Sequence, residues 1–315
     1  MRRQVAPAFL LFLLPGLFVL AQSPQARRDA PAPYTLRIPV DEISLMFHAA
    51  GMHGEPLTHL TRADLSLRDN GKAQTSVVML EELDDLPIRA GFLFDTSASM
   101  MGSVAFNREI IFTYASELLR KGYDRAFVEQ FDTDTLIRQE WTDSDNAIAA
   151  GAGKVGNGED RLDPLTAIFD SLYTTCRDQW KPGPGQPTGN FILLFSDGED
   201  DASHAYLREA VDMCQRTRTT IYAMISGRRS QFSDGYHTLL DLTQQTGGRL
   251  FVNPRGSEIL EDLTMIETEQ RNQYRLVYKP SPFTADGSFH RIRLDCSVQG
   301  SRIVTRSGYY AFARP

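Results

Sequence analysis

Five residues with oxygen-bearing side chains follow apolar runs or begin a helical pattern: Asp95, Ser97, Ser99, Thr166 and Asp197. Carboxylate and hydroxyl oxygens, without sulfur or imidazole, are the ligands that hard divalent cations prefer. The residue types therefore predict a metal site, with Mg²⁺ as the first candidate and Mn²⁺ or Ca²⁺ as alternatives. A cluster of Asp and Ser residues can instead cap a helix, so the elements that carry these residues must decide between the two interpretations.

The elements around these residues have the pattern of a parallel sheet covered by helices. Residues 91–94 and 191–195 are continuous apolar runs, and strands without alternation are buried on both faces. Strand and helix patterns alternate over residues 88–272, which predicts a doubly wound, mostly parallel α/β domain. Because open α/β sheets bind ligands at the carboxyl ends of their strands, we expect Asp95 and Asp197 to meet at one edge of the sheet.

Alternating patterns flank this α/β segment on both sides. Apolar residues recur at every second position in parts of 34–87 and of 273–315, as in half-buried strands. Asn70 and Gly71 predict a tight hairpin turn, since such turns need a positive φ at both central positions. A lone hairpin is marginal in water, so we expect both segments to form one small antiparallel β-sandwich-like module, with the α/β domain inserted between them.

The N-terminal segment has the composition of a secretory signal peptide. Two arginines precede a short apolar run over residues 8–20, and small residues follow. This order predicts a signal peptide over residues 1–21, cleaved near Ala21, and a flexible leader over residues 22–33. The alternative is an uncleaved N-terminal anchor, which would be the only attachment to a membrane. We therefore expect a secreted, periplasmic or cell-envelope protein.

Composition argues against two classes of function. The chain has 33 basic and 40 acidic residues and a formal net charge of −7, and no basic stripe offsets this charge. Such a surface repels phosphate backbones, so the sequence predicts no binding of nucleic acid. The six His residues show neither His-Glu-x-x-His spacing nor a Ser/His/Asp order that indicates hydrolysis, and the protein is predicted not to be an enzyme.

Two further motifs are incomplete. Residues 131–135 are similar to the Asp-x-Asp-x-Thr loop of haloacid-dehalogenase-type phosphatases, but Leu136 stands where a Thr is needed. Residues 151–154 have the spacing of part of a phosphate-binding loop, but Val155 replaces the Ser or Thr that would meet Mg²⁺. We interpret the first motif as a polar turn between strands and the second as a mobile loop beside the metal site.

The five site residues and their order resemble the metal-ion-dependent adhesion site of von Willebrand factor A domains. The resemblance covers residues 88–272: Asp-x-Ser-x-Ser from Asp95, a Thr-Ala-x-x-Asp helix start at Thr166, and Asp-Gly-x-Asp from Asp197. It departs from the family at Leu165, where many members have Gly. The flanking segments, among them 54–65, 69–74, 274–278, 291–294 and 306–310, resemble exported VWFA-related proteins typical of acidobacteria.

The resemblance implies a module that binds another protein. Ser97, Ser99 and at times Thr166 would contact the cation directly, and Asp95 and Asp197 would often act through water. With few anionic ligands the ion keeps a position open, which a Glu or Asp carboxylate of a partner can fill. Two alternatives stay open: a hydrolase in which the same metal activates water, and a structural envelope protein with a vestigial site.

The resemblance also suggests a pairing for the cysteines. In this fold the helices that carry Cys176 and Cys214 are parallel neighbours on one face of the sheet, which predicts a disulfide between them. Cys296 would then be a buried thiol in a strand. Other polar groups have less specific interpretations: Asp200 and Asp201 form either a second cation site or, as we expect, a solvated loop, and residues 309–310 pack as a final strand rather than forming an adhesive surface.

Overall fold

A six-stranded sheet with helices on both faces carries the predicted site. The computed structural model describes residues 42–156, 165–180, 186–225 and 233–312. The strands are β1 (Ile43–Ala50), β2 (Leu65–Asp69), β3 (Lys72–Ala73), β4 (Val77–Leu83), β5 (Ile88–Asp95), β6 (Arg125–Phe131), β7 (Thr135–Thr142), β8 (Gly189–Phe195), β9 (Thr219–Ile225), β10 (Leu250–Val252), β11 (Gln273–Tyr278), β12 (Phe289–Cys296), β13 (Arg302–Thr305) and β14 (Gly308–Tyr310). The helices are α1 (Val104–Glu117), α2 (Asp145–Lys154), α3 (Ile168–Gln179), α4 (Leu207–Arg216), α5 (Asp234–Thr246) and α6 (Ile259–Arg271).

The central sheet has the strand order β10-β9-β8-β5-β6-β7, and all neighbours are parallel except β6 and β7. Its middle strands are apolar throughout because both faces are covered. Helices α1, α2 and α6 pack on one face, and α3, α4 and α5 pack on the other. The structure therefore confirms the doubly wound, mostly parallel α/β fold that strand and helix alternation predicts.

Two antiparallel sheets flank this fold, with strand orders β13-β1-β11-β4 and β14-β12-β2-β3. Each contains strands from both ends of the described chain, and the two bury one apolar cluster that includes Leu45, Leu67, Leu276 and Leu294. A strand with one apolar face must bury that face against another element, which explains why neither end forms a module alone. The predicted β-sandwich-like part built by both ends is confirmed. The domain limits at 87/88 and 272/273 stay predictions, and contacts group the described residues into one unit.

The hairpin turn at Asn70-Gly71 is also confirmed, with φ values of 47° and 77°. The strand after it, β3, has only two residues, and the chain then crosses to the other sheet, where β4 pairs with β11. The turn residues thus predict the local hairpin, but the alternating residues 77–79 lie in β4, which is part of the other sheet.

Several sequence expectations need correction or lie outside the described residues. Residues 151–154 are the end of helix α2 and not a mobile loop. Ser144 caps the start of this helix, and burial of Ile148 and Ala152 holds it against the sheet. Cys296 is only half-buried at the end of β12, and Val298, beyond that strand, is 38% exposed. The final strand β14 packs as expected, with Tyr309 buried.

The signal peptide over residues 1–21, the leader over residues 22–33 and the strand pattern at residues 34–40 lie outside the described part of the chain. Within that part, every helix is too short or too polar to cross a bilayer.

Candidate metal centre

Two adjacent parallel strands deliver carboxylates to the same edge of the central sheet. Strand β5 ends at Asp95, and β8 ends two residues before Asp197. The strands pair in register, with Phe94 opposite Phe195. Both acids therefore lie at the carboxyl edge of the sheet, where the sequence predicts them to meet. The two strands are adjacent in the sheet although other elements separate them in sequence.

Hydrogen bonds link four of the five predicted residues at this edge. The Ser97 N–H donates to Asp95 Oδ1 at 2.9 Å, which bends the chain so that the Ser97 side chain faces the edge. The Ser97 and Ser99 hydroxyl oxygens lie 3.3 Å apart, and Ser99 Oγ donates to Asp197 Oδ2 at 2.6 Å. The Asp-x-Ser-x-Ser segment thus bridges the ends of both strands.

Thr166 reaches the same edge through its backbone. The Ala167 N–H donates to the carbonyl of Asp132 at 2.8 Å, which fixes the segment beside the end of β6. The Thr166 carbonyl accepts from the N–H groups of Asp201 and Ala202 at 2.9 and 3.0 Å. Its side chain is buried, and within the described part of the chain its hydroxyl makes no hydrogen bond to the other four residues.

Gly198 allows the loop after Asp197 to turn away from the sheet. Gly198 has a φ of +84°, and a Cβ there would lie 2.0 Å from the carbonyl oxygen of Gly235. Any other residue would need a strained backbone and would push against the start of α5. The Gly198 N–H also donates to Ser196 Oγ at 3.0 Å. The backbone conformation and the close packing at this position explain why Gly follows Asp197 in the motif.

The electrostatics of the edge favour a cation. Asp95 and Asp197 are 1% and 3% exposed. Burial, together with the charge of Asp197, raises the pKa of Asp95 to about 6, although hydrogen bonds from Ser97 and Ser196 oppose the shift. In the described part of the chain no basic side chain pairs with Asp95. Two buried carboxylates near each other are costly unless a positive charge offsets them.

The donor set fits a hard divalent cation. Among the described residues no three His, Cys, Asp or Glu side chains are grouped as metal ligands, so an ion here needs hydroxyl oxygens as well. Ser97, Ser99 and Thr166 supply these, and Asp95 and Asp197 supply the negative charge. Oxygen ligands of this kind suit Mg²⁺, Mn²⁺ or Ca²⁺ rather than a metal that prefers sulfur or nitrogen.

Sequence reasoning missed Ser196. Its hydroxyl donates to Asp95 Oδ2 at 2.7 Å and accepts from the Gly198 N–H. Ser196 therefore links Asp95, at the end of β5, to the loop that follows β8. The signal for it is a polar residue between the buried strand β8 and Asp197, but a Ser at a strand end has many roles, and only the pairing of β5 with β8 reveals this one.

A clamp around the start of helix α3 was also missed. Asp170 accepts from the N–H groups of His204 and Ala205 at 2.9 and 2.7 Å. Ser203 Oγ accepts from the N–H groups of Phe169 and Asp170 at 3.0 and 3.1 Å. Burial opposes ionisation of Asp170, but the hydrogen bonds from the 204–205 backbone outweigh it and lower the pKa of Asp170.

This clamp holds the loop after Asp197 against the segment that contains Thr166. Asp200 Oδ1 accepts from Ser203 Oγ at 2.6 Å, so Asp200 is part of the clamp. The clamp carries no cation ligand itself, but it fixes the separation of two ligand segments. Groups that orient metal ligands typically change metal affinity by about 10- to 100-fold.

We therefore expect Asp170→Ala to weaken Mg²⁺ binding by about tenfold without unfolding the protein, because the N–H groups of His204 and Ala205 lose the carboxylate that accepts their hydrogen bonds. Titration calorimetry with Mg²⁺ and circular dichroism measure the two effects separately. Asp178→Asn, at the exposed far end of α3, is the matched control and should bind as the wild type does. Equal affinity in Asp170→Ala and wild type would show that the clamp does not position the ligands.

No protein-family model matches the sequence, and no curated protein sequence matches it. Similar solved structures include proximal thread matrix protein 1 of the mussel byssus with a zinc-occupied MIDAS motif, at a TM-score of 0.49 and 16% identity over 64% of this chain and 50% of that chain. This chain thus spans about half the length of the mussel protein.

Two bacterial structures also match. One is BatB from Bacteroides thetaiotaomicron, with a TM-score of 0.45 and 14% identity over 57% of this chain and 97% of that chain. The other is an aerotolerance-related membrane protein from Bacteroides fragilis, with a TM-score of 0.45 and 13% identity over 58% of this chain and 98% of that chain. These structural neighbours are von Willebrand factor A-like proteins at low sequence identity.

Proposed function

We propose that this protein is an exported protein-binding module that captures an acidic residue of a partner through a divalent cation held by Asp95, Ser97, Ser99, Thr166 and Asp197. One observation carries the proposal: Ser97 and Ser99 link two buried carboxylates, from adjacent parallel strands, at the carboxyl edge of the sheet. Mg²⁺ is the first candidate for the ion. The partner is a protein surface that presents a Glu or Asp side chain, and not a nucleic acid.

The types of ligand explain why a cation held here would attract a carboxylate of a partner protein. When bound, the cation supplies a concentrated positive charge at a surface that is otherwise acidic. The hydroxyls of Ser97, Ser99 and Thr166 are neutral, so they contribute coordination without cancelling that charge. Asp95 is already engaged by Ser97 and Ser196, which limits how much of its charge reaches the ion.

Exposed apolar side chains next to the site support a protein as partner. Leu165, which directly precedes Thr166, is 45% exposed, and Tyr206, at the end of the clamped loop, is 65% exposed. Aromatic and apolar side chains beside a charged contact are typical of surfaces that a partner covers. Leu165, which stands where many von Willebrand factor A domains have Gly, would then add apolar contact area with the partner.

The test uses an immobilised peptide of alternating Glu and Leu residues and a matched peptide with Gln in place of Glu. In Mg²⁺ we expect saturable binding to the Glu peptide only, and EDTA should remove it. Binding that is equal in Mg²⁺ and EDTA, or equal for both peptides, would contradict the proposal. Cation-dependent turnover of a phosphate ester or a peptide bond in the same preparation would favour the hydrolase alternative.

A further inference from the structure

A cavity among the described residues lies away from the metal centre. It has a volume of about 460 Å³ and lies between the α/β fold and the sheet that contains β1 and β13. Residues at the start of β9 line it, such as Thr219 and Thr220, whereas the metal edge is at the carboxyl ends of the strands. Cavities of several hundred Å³ between packed modules are the usual places for small ligands.

The acids of this cavity already have cationic partners. Asp212 lies 3.9 Å from the guanidinium of Arg216. Glu269 is paired with Arg249 and accepts a hydrogen bond from the Tyr222 hydroxyl at 2.9 Å. Neither carboxylate is therefore placed to neutralise a further positive charge in the cavity.

Arg218 supplies such a charge. It lines the cavity, and no described residue forms a hydrogen bond or ion pair with its guanidinium. Burial lowers the pKa of Arg218, and the charge of nearby Arg275 lowers it further; Arg275 itself pairs with Glu81. The charge of Glu81 opposes this shift only in part, since Glu81 is paired with Arg275.

The backbone of Arg218 also indicates a specific role. Its φ of +57° lies in the left-handed region, where Gly or Asn is favoured and where a long side chain carries a conformational cost. The position connects α4 to β9 and needs no side chain to do so. An arginine at a position that suits glycine is therefore a candidate for a side chain with a role of its own.

Ser44 offers a second polar group to the same cavity. Its hydroxyl is buried and has no hydrogen-bond partner among the described residues. Its carbonyl accepts from Arg306 Nη2 at 3.0 Å, so a second guanidinium lies beside it. Buried hydroxyls are normally satisfied, so the lack of a partner favours a contact with a ligand oxygen. Because the hydroxyl has almost no accessible surface, that contact requires a small movement of the side chains that cover it.

Aromatic side chains form part of the remaining wall, which also contains polar residues such as Gln215 and Gln270. Tyr310 and Phe312 both line the cavity, and their rings stack with centroids 5.8 Å apart. Guanidinium and hydroxyl groups match carboxylate and phosphate oxygens, and aromatic rings match a flat or apolar body. We propose that this cavity binds a small organic anion, with its carboxylate or phosphate at Arg218 and Ser44 and its apolar part against Tyr310 and Phe312.

The test measures binding of phenyl phosphate, benzoate, inorganic phosphate and neutral benzyl alcohol to the full chain by titration calorimetry. All titrations contain EDTA, so the outcome is independent of the metal centre and of the proposed function. We expect saturable binding of phenyl phosphate or benzoate, with weaker binding of inorganic phosphate and of benzyl alcohol. The comparison of the two organic anions identifies which head group the cavity prefers.

Arg218→Gly is the decisive variant, because glycine adopts the observed φ without strain and the protein should fold at least as well. We expect it to weaken binding of the organic anion by about tenfold or more, as charge-assisted hydrogen bonds are lost. Arg291→Gln removes an exposed arginine on β12 and should bind as the wild type does. Ser44→Ala should weaken binding severalfold.

Three results would overturn the proposal. The first is no saturable binding of either organic anion up to about 10 mM, a limit that corresponds to an affinity weaker than about −3 kcal/mol. The second is unchanged affinity in Arg218→Gly when that variant is folded. The third is inorganic phosphate binding as tightly as phenyl phosphate, which would rule out a contribution from the aromatic wall.

Discussion

Replacing Asp95 with Ala is expected to abolish saturable binding of Mg²⁺ and Mn²⁺, with a loss of affinity of at least about 100-fold, or about 2.7 kcal/mol. The variant removes one of the two buried carboxylates that offset the charge of the ion. It also removes the acceptor that holds the Ser97 N–H and the Ser196 hydroxyl, so the Ser97 side chain loses its fixed direction. Titration calorimetry of the purified variant beside the wild type measures the loss.

The same variant should remain folded. Asp95 is 1% exposed, and burial raises its pKa to about 6, so burial disfavours its charged form. Removing it relieves that cost but leaves two donors unsatisfied, each worth about 1–3 kcal/mol, so the two effects partly cancel. Circular dichroism and thermal melting would establish that a loss of binding is local.

Asp134→Ala is the matched control for this experiment. Asp134 is an exposed acid in the turn between β6 and β7, at the same edge of the sheet. Its removal changes the net charge as Asp95→Ala does but leaves the Ser97–Ser99–Asp197 bridge intact, and its Mg²⁺ affinity should stay within about twofold of the wild type. Wild-type affinity in Asp95→Ala would place any cation site elsewhere.

The sequence predicted the parts of the fold that depend on local pattern. Strands buried on both faces must be apolar throughout, so residues 91–94 and 191–195 identified β5 and β8 before their pairing was known. Because open α/β sheets bind ligands at the carboxyl ends of their strands, Asp95 and Asp197 were expected at one edge of the sheet, and the structure places them there. These predictions succeed because each follows from burial or from chain direction alone.

The contacts behind the site could not be predicted in the same way. The hydrogen bond from Ser196 to Asp95 joins residues 101 positions apart and exists only because β5 and β8 are neighbours. The clamp of Asp170 on the 204–205 backbone depends on the path of a loop, which no periodic pattern encodes. Residue types indicated the candidate ligands, whereas the groups that position these residues depend on tertiary packing.

The ends of elements were the least predictable. The sequence predicts Cys296 as a buried thiol in a strand. Cys296 is the last residue of β12, but it is only half-buried because the strand ends there. The cavity had no sequence signal, because Ser44, Arg218 and Arg306 come from three distant segments. Positions where the chain changes direction depend on what packs against them.

The cysteine pairing depended on the fold and is confirmed. Cys176 in α3 and Cys214 in α4 form a disulfide, with Cα atoms 5.1 Å apart and both side chains fully buried. The two helices pack side by side on one face of the central sheet, and this neighbourhood cannot be deduced from the spacing of three cysteines. The bond ties together the helices that follow the Thr166 segment and the Asp197 loop.

Removing this disulfide is expected to lower the free energy of unfolding by about 4 kcal/mol, because the 38-residue loop that it closes regains its freedom in the unfolded state. Cys176→Ala combined with Cys214→Ala tests this by urea denaturation under non-reducing conditions. Cys296→Ala, at a half-buried position outside the bond, should change the free energy of unfolding by less than about 1 kcal/mol. Equal stability of the double variant and the wild type, or three free thiols in the denatured non-reduced protein, would contradict a formed bond.

The disulfide and the clamp are expected to separate stability from binding. Cys176 and Cys214 lie towards the C-terminal ends of α3 and α4, whereas Asp170 and the 204–205 backbone hold the N-terminal ends of the same helices. The double cysteine variant should therefore lose stability but, while folded, keep its Mg²⁺ affinity within about threefold, since distant sites act almost independently. Asp170→Ala should show the reverse pattern. If both variants lost affinity equally, the two helices would have to move as one body, and the bond would then be part of the metal centre.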